Sequence, residues 1–235
     1  MKSFRTVDLM LRELIPMLKN QNPIPSRLGN QHEILNWSYK IETPSRPFSF
    51  REINQNYARN FVNFILSFDK PTEMHEHRQN LMKINPKVSR FLDTEKYEEI
   101  FPEGNSVLYP SKLKSGYLPA IEELKKRPDS RRAIVPMLTE SDSRLLGALD
   151  GGESITLEFS CTESFAFFIR NETLNLHINM RSQNMLGVFP YDWFLWVNLL
   201  ERTWVEHFPK FQMGEISSNI TFCHIYEEKK PESAK

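Results

Sequence analysis

Apolar residues recur at helical spacing at Leu9, Leu11, Leu14, Ile15 and Leu18 in "VDLMLRELIPMLKN", which predicts an amphipathic surface helix bent or shortened by Pro16. The same spacing at Phe61, Phe64, Ile65 and Phe68 in "NQNYARNFVNFILSF" predicts a second helix with one face on the core. A polar connection, "QNPIPSRLGNQHE", separates the first helix from the strand-like "ILNWSYKIE" and puts Arg27 on a loop. Residues 69–116 have weak periodicity, with short amphipathic pieces at "HRQNLMKI" and "KVSRFLD". "YLPAIEELKKRPDS" predicts a helix stopped by Pro128, and "RRAIVPML" a strand introduced by paired arginines. After the turn "LDGGES", the segments "ITLEFSC", "SFAFFIR" and "LNLHINMR" read as strands in quick succession. "PYDWFLWVNLLERTWVEHF" predicts a long helix, and "SSNITFCHIYEE" a closing strand. Without a repeat, this order predicts a single α+β domain over residues 1–226 around one mixed sheet, with 227–235 as a charged, flexible tail.

Charge removes some partners from consideration. Lys plus Arg and Asp plus Glu both number 30, so no global field draws the chain to nucleic acid or to an anionic membrane, and any anion site is local. The longest apolar runs fall far short of the roughly 20 residues of a membrane helix. The early charge in "MKSFRTVDLM" speaks against a signal peptide, and two cysteines make no disulfide framework, so the expected compartment is the cytoplasm.

The candidate chemistry begins at Cys161, at the head of "SCTESFAFFI". A cysteine there is either a small residue of a sheet or a nucleophile, which needs thiolate character and partial exposure. Four arginines fall at element ends: Arg27, the pair Arg131 and Arg132, and Arg181, followed by Ser182. Guanidinium forks match phosphate oxygens, so these side chains form either a local phosphate site or ordinary surface ion pairs. His224 and Tyr226 alternate on one strand face and are either two adjacent hydrogen-bonding tips or a satisfied core pair. The six histidines show no metal-ligand spacing. Phosphate-cradling glycine loops and nucleophile elbows are absent, which excludes nucleoside triphosphate and serine hydrolase chemistry of those types.

Taken in order, "IPSRLG", "SRRAIV", "SCTESFAFFI", "MRSQNMLGVFPYD" and "CHIYE" resemble the thymidylate synthase family over nearly the whole chain. The intervals from Cys161 to Arg181 and Ser182, and on to Pro190 and Asp192, are those of the family. The resemblance implies a large mixed sheet with helices on one face, packed back to back with its twin in a homodimer. It implies that Cys161 adds to C6 of a pyrimidine nucleoside monophosphate, so that C5 attacks a one-carbon donor, 5,10-methylenetetrahydrofolate. Arg27, Arg181 and Ser182 match phosphate ligands, and Arg131 with Arg132 match the pair supplied by the neighbouring subunit. His224 and Tyr226 match sugar contacts, and Tyr109 more loosely a pocket tyrosine.

Asp192 stands where thymidylate synthases have Asn, whose amide matches uracil N3–H and O4. Cytosine presents the reverse pattern, which suits a carboxylic acid, so the position resembles that of the cytidylate (CMP or dCMP) hydroxymethylases. Asp192 also suits a helix N-cap, and a uridylate substrate remains the alternative, as does a nucleotide-binding member lacking folate chemistry. Several positions depart from the family: Phe61 or Asn60 falls where the catalytic glutamate belongs, leaving Glu52 as the candidate substitute acid. Thr162 replaces the usual His after the nucleophile, Asn184 the acid that meets the pterin, and Phe222 the Asp before the His-x-Tyr.

Overall fold

The computed structural model describes residues 1–26, 29–45, 52–84, 109–140, 142 and 160–227. Its strands are β1 (Lys2–Phe4), β2 (Ile24–Ser26), β3 (Gly29–Ile41), β4 (Ile134–Pro136), β5 (Thr162–Arg170), β6 (Thr173–Asn184) and β7 (Gln212–Tyr226). Its described helices are α1 (Val7–Lys19), α2 (Gln55–Leu66), α3 (Pro71–Ile84), α4 (Tyr109–Lys126) and α5 (Phe189–His207).

The N-terminal helical stripe forms. Thr6 caps α1 by accepting from the Leu9 N–H at 3.4 Å, and the helix runs through Pro16 rather than stopping there. Met10 takes the stripe position expected for Leu9, which is 49% exposed. Asn54 caps α2 in the same way, accepting from the Tyr57 N–H at 2.9 Å. The weakly periodic region holds α3, and α4 starts at Tyr109, well before the expected Tyr117, ending just ahead of Pro128. "KVSRFLD" and most of "ITLEFSC" lie outside the described residues. The remainder of the latter corrects the expected strand, because Cys161 sits in a bend and β5 begins at Thr162. Residues 228–235 of the expected tail also lie outside the described set.

Among the described residues the strands join in one 7-stranded mixed sheet of order β1-β3-β7-β6-β5-β4, with β2 pairing on β3. β1 runs parallel to β3 and β6 parallel to β7, while the remaining pairings are antiparallel. The β5–β6 hairpin turns on Asn171 and Glu172, with φ of 51° and 59°, as a mirror-image two-residue turn requires. Phe167, Leu176, Ile216 and Ile41 lie side by side across four strands on one buried face. Helices α1, α4 and α5 share one core with that face. Tyr117 of α4 meets Phe167 edge-on, and Phe189 of α5 meets Tyr39 and Trp196 likewise. The opposite face is polar: Ser164, His177, Asn179, Ser217 and Asn219 are linked there by hydrogen bonds of 2.8–3.3 Å.

One irregularity decides where the site lies. In β6 the buried positions Ile178 and Met180 are followed by Gln183, a change of parity. In β7, Ile216, Ser218 and Ile220 give way to Cys223 and Ile225. In β3, exposed Leu35 precedes buried Trp37, and Asn36 between them has a φ of 55°. Ser182 pairs with Phe222 and Phe222 with Leu35, so the three shifts fall at one level across the sheet. A period-two strand cannot exchange faces without such a kink. Here it turns Gln183 and Cys223 inward at the end of β6 that leads into α5.

Candidate active site

Cys161 occupies a bend whose carbonyl groups are individually held. The Ser160 hydroxyl donates to Thr162 O at 2.7 Å, the Arg181 N–H donates to Cys161 O at 2.9 Å, and the Arg181 Nε–H donates to Ser160 O at 3.0 Å. Arg181 therefore fixes the backbone that carries the thiol. The two cysteines differ in kind: Cys161 is half-buried, whereas Cys223 is fully buried and its thiol is pushed up to about 12 by burial. Cys223 is inert in thiolate chemistry at neutral pH.

Tyr109, the first residue of α4, reaches the same bend. The Thr162 hydroxyl donates to the Met180 sulfur at 3.2 Å, which leaves Tyr109 to donate to Thr162 Oγ1 at 2.9 Å. Burial pushes the Tyr109 hydroxyl well up, with the nearby charges of Asp192 and Cys161 adding to it. Cys161, Tyr109 and Asp192 thus share one electrostatic neighbourhood.

Asp192 lies in the first turn of α5 but does not cap it. Val188 occupies the cap position without a side-chain bond, and Pro190 stands at the start of the helix. The carboxyl is 6% exposed and accepts at Oδ2 from Gln183 Nε2 at 2.9 Å. Burial raises Asp192 from the ordinary carboxyl range to about 7, against the opposing pull of the Gln183 hydrogen bond. Such a group can supply either an O–H donor or a carboxylate near neutral pH. The cap alternative for Asp192 is set aside by this geometry.

His224 and Tyr226 meet edge-on, with ring centroids 5.1 Å apart. Burial lowers the His224 pKa, and its Nδ1 donates to Phe222 O at 3.3 Å, so the neutral ring presents Nε2 as an acceptor. Asn184 is the register partner of His224, and the Met185 N–H donates to His224 O at 2.9 Å. The Asn184 Oδ1 accepts from the Leu186 and Gly187 N–H groups at 3.2 and 2.9 Å. A Cβ at Gly187 would lie 2.5 Å from Asn184 Nδ2, so a side chain there would have to displace the Asn184 amide.

The remaining expected residues do not all converge. Arg27 lies outside the described residues, while Ser182 lies on β6 beside Arg181 and is half-buried. Arg131 is exposed, and Arg132 is engaged by Glu123 of α4, with Nε and Nη2 3.1 and 2.9 Å from Oε1. Within one chain this pair lies before the edge strand β4 and outside the bend around Cys161. Phe61 stacks on Tyr57 at 6.1 Å, and Tyr57 meets Tyr191 edge-on at 5.0 Å. Burial pushes the Tyr57 hydroxyl up to about 12, with Tyr191 and Asp192 adding to it. An aromatic wall therefore stands where an acid was expected, and Glu52 is exposed. Gln183 and Tyr57 went unnoticed in the linear pattern. Tyr57 was legible as the residue four before Phe61, on the same helix stripe, but Gln183 turns inward only because of the kink.

Among the described residues no group of three or more His, Cys, Asp or Glu could hold a metal ion, and no helix is long and apolar enough to cross a membrane.

Comparison with known proteins adds two findings. The family model "Thymidylate synthase" matches residues 116–234. The fold is similar to the crystal structure of thymidylate synthase from T4 phage, with a TM-score of 0.71 at 14% identity, covering 94% of this chain and 77% of that one. No curated protein sequence matches. The mixed sheet with its helices is a thymidylate synthase-like fold, as the motifs implied.

Proposed function

The chain belongs to the thymidylate synthase family, whose members transfer a one-carbon group to C5 of a pyrimidine nucleotide, and we propose that its substrate is a cytidine monophosphate, CMP or dCMP, which it hydroxymethylates. The observation that carries this reading is Asp192: a buried carboxyl near pKa 7, in the neighbourhood of Cys161, that can donate to an acceptor N3. An amide at the same place would match uracil instead. A site with the wrong polar pattern leaves buried groups unpaired and rejects the base by a large factor.

In this reading the Cys161 sulfur adds to C6, and the electron pair of the C5–C6 double bond makes C5 the nucleophile. The bend held by Arg181 and Ser160 fixes the sulfur's approach. Arg27, Arg181 and Ser182 bind the phosphate. Arg131 and Arg132 join them from a second copy in a homodimer, which accounts for their position outside the bend of their own chain. His224 and Tyr226 hold a sugar hydroxyl, the His224 Nε2 accepting its proton. Residues 1–226 form the single working domain.

The family uses methylenetetrahydrofolate as one-carbon donor. Asn184 does not fit the pterin as the family's acid does, because its Oδ1 is committed to the Leu186 and Gly187 N–H groups. That misfit, together with Phe61 at the place of the catalytic acid, favours a second reading, in which the chain binds the nucleotide without carrying out C5 chemistry.

CMP and dCMP labelled with tritium at C5 separate the two readings. With methylenetetrahydrofolate present, the enzyme reading expects release of label to water, and Cys161→Ala should abolish release while the variant still gains thermal stability from the nucleotide. Nucleotide-dependent stabilisation without any release from either substrate decides for the second reading.

A further inference from the structure

We propose that Gln183 is a positioning and specificity residue, which orients the carboxyl of Asp192 and offers its own carbonyl oxygen to the exocyclic amine of the base. The inference rests on the reading of Asp192 as the base partner. Gln183 is 2% exposed, lies just past the sheet kink, and spends its Nε2–H on Asp192 Oδ2 at 2.9 Å. Its Oε1 is buried and has no hydrogen-bond partner among the described residues. A buried amide oxygen left unpaired costs free energy, so a site that retains one is set for a donor.

The chemistry follows from the donor and acceptor inventory. Because Oδ2 accepts from Gln183, a proton on neutral Asp192 resides on Oδ1, which becomes a donor of fixed direction. Oδ1–H and Gln183 Oε1 then form a donor and an acceptor side by side. Cytosine offers the complement, an acceptor at N3 and a donor at the 4-amino group, whereas uracil sets O4 against Oε1 and N3–H against Oδ1–H.

The ionisable groups on neighbouring elements that feel the Asp192 charge are Tyr39 on β3, Tyr57 on α2 and Tyr109 on α4. Burial holds all three tyrosines neutral at pH 7. Gln183 is accordingly the hydrogen-bond donor that opposes burial at this carboxyl.

The experiment measures binding of CMP, dCMP, UMP and dUMP to the full chain by calorimetry from pH 5.5 to 8.5, for the wild type, Gln183→Met and Gln183→Glu. The wild type should prefer cytosine nucleotides and lose them as pH rises through about 7. Gln183→Met should cut the cytosine-to-uracil ratio by ~tenfold or more, and should move the pH midpoint upward, since the donor opposing burial is gone. Gln183→Glu keeps the shape and an acceptor but places a second carboxyl beside Asp192, so its midpoint should also rise; it decides the matter where the methionine variant does not fold. Stabilisation of each variant by inorganic phosphate checks that the rest of the site is intact. An unchanged ratio and midpoint in a folded variant, with a cytosine-preferring wild type, overturns the role of Gln183 alone. A wild type that prefers uracil nucleotides overturns both this inference and the cytidylate reading.

Discussion

In its proposed role Asp192 couples base recognition to stability, because a carboxyl that holds its proton up to about pH 7 in the folded chain loses it near 3.8 when unfolded. The native state binds the additional proton between these values, so the stability contributed by the neutral carboxyl is complete below about pH 4 and is lost as pH rises through about 7. The span corresponds to a ceiling of ~4 kcal/mol. Asp192→Asn cannot titrate, and we expect its melting temperature to decline less between pH 5 and 7 than that of the wild type. The same substitution restores the amide found in thymidylate synthases. Thermal shifts with the mononucleotides should therefore reverse in rank, uracil forms stabilising the variant more than cytosine forms. An unchanged rank would place the base away from this carboxyl.

At the scale of elements, a buried ion pair fastens α4 to the segment after β4. The Lys112 ammonium, 7% exposed, donates to both Asp142 oxygens at 3.1 and 2.9 Å and to the carbonyl of Met137. Asp142 Oδ2 also accepts from the Thr139 N–H and hydroxyl at 2.6 and 2.8 Å. Burial lowers the Lys112 pKa, and the Asp142 hydrogen bond and charge oppose it, so removing Asp142's charge strands the cation. Asp142→Asn should cost ~3 kcal/mol in denaturant unfolding, and Lys112→Met added to it should recover part of that loss. Tyr109 opens the same helix, so loosening α4 should also relax its bond to Thr162.

Neither this pair nor the start of α4 was legible from periodicity, since helix 109–126 carries its polar anchors on the buried side. The helices built on regular apolar stripes, α1 and α2, were legible, as were β6 from its alternation and most of β3, β5 and β7 from their strand-like runs, although β3 begins at Gly29, inside the stretch expected as a polar connection. β1 and β2 are too short to carry a period. Among the candidate site residues, Cys161 and Asp192 stand out by their spacing. Gln183 was hidden because the parity change at its strand depends on the register of two neighbours, which no linear pattern contains.

The whole molecule raises the question of what covers the sheet's second face. Helices α1, α4 and α5 share the core on the other side. On this face the side chains of His177, Ser217, Asn179, Asn219 and Ser164 are already bonded to one another. Burial lowers the His177 pKa, so the ring is neutral at pH 7; Nδ1 serves Ser217 and Nε2 serves one asparagine neighbour, while Asn219 donates to Asn179 Oδ1, and no charge is introduced. A satisfied, uncharged polar surface can be buried against a copy of itself at small desolvation cost. A homodimer joined through this face is the arrangement we propose, with Arg131 and Arg132 of each copy completing the phosphate site of the other. The arrangement makes a specific demand on mixed molecules. Cys161→Ala and an Arg131→Ala/Arg132→Ala variant should each be inactive in C5 label release. Mixing them through mild denaturant should restore release, because a heterodimer holds one site with both defects and one with neither. Random pairing of equal amounts makes half the dimers heterodimers, each with one intact site of two, so recovery should approach about a quarter of the wild-type rate. Sedimentation should show two-chain particles throughout. Dimers without recovery would mean that each site draws its phosphate ligands from its own chain.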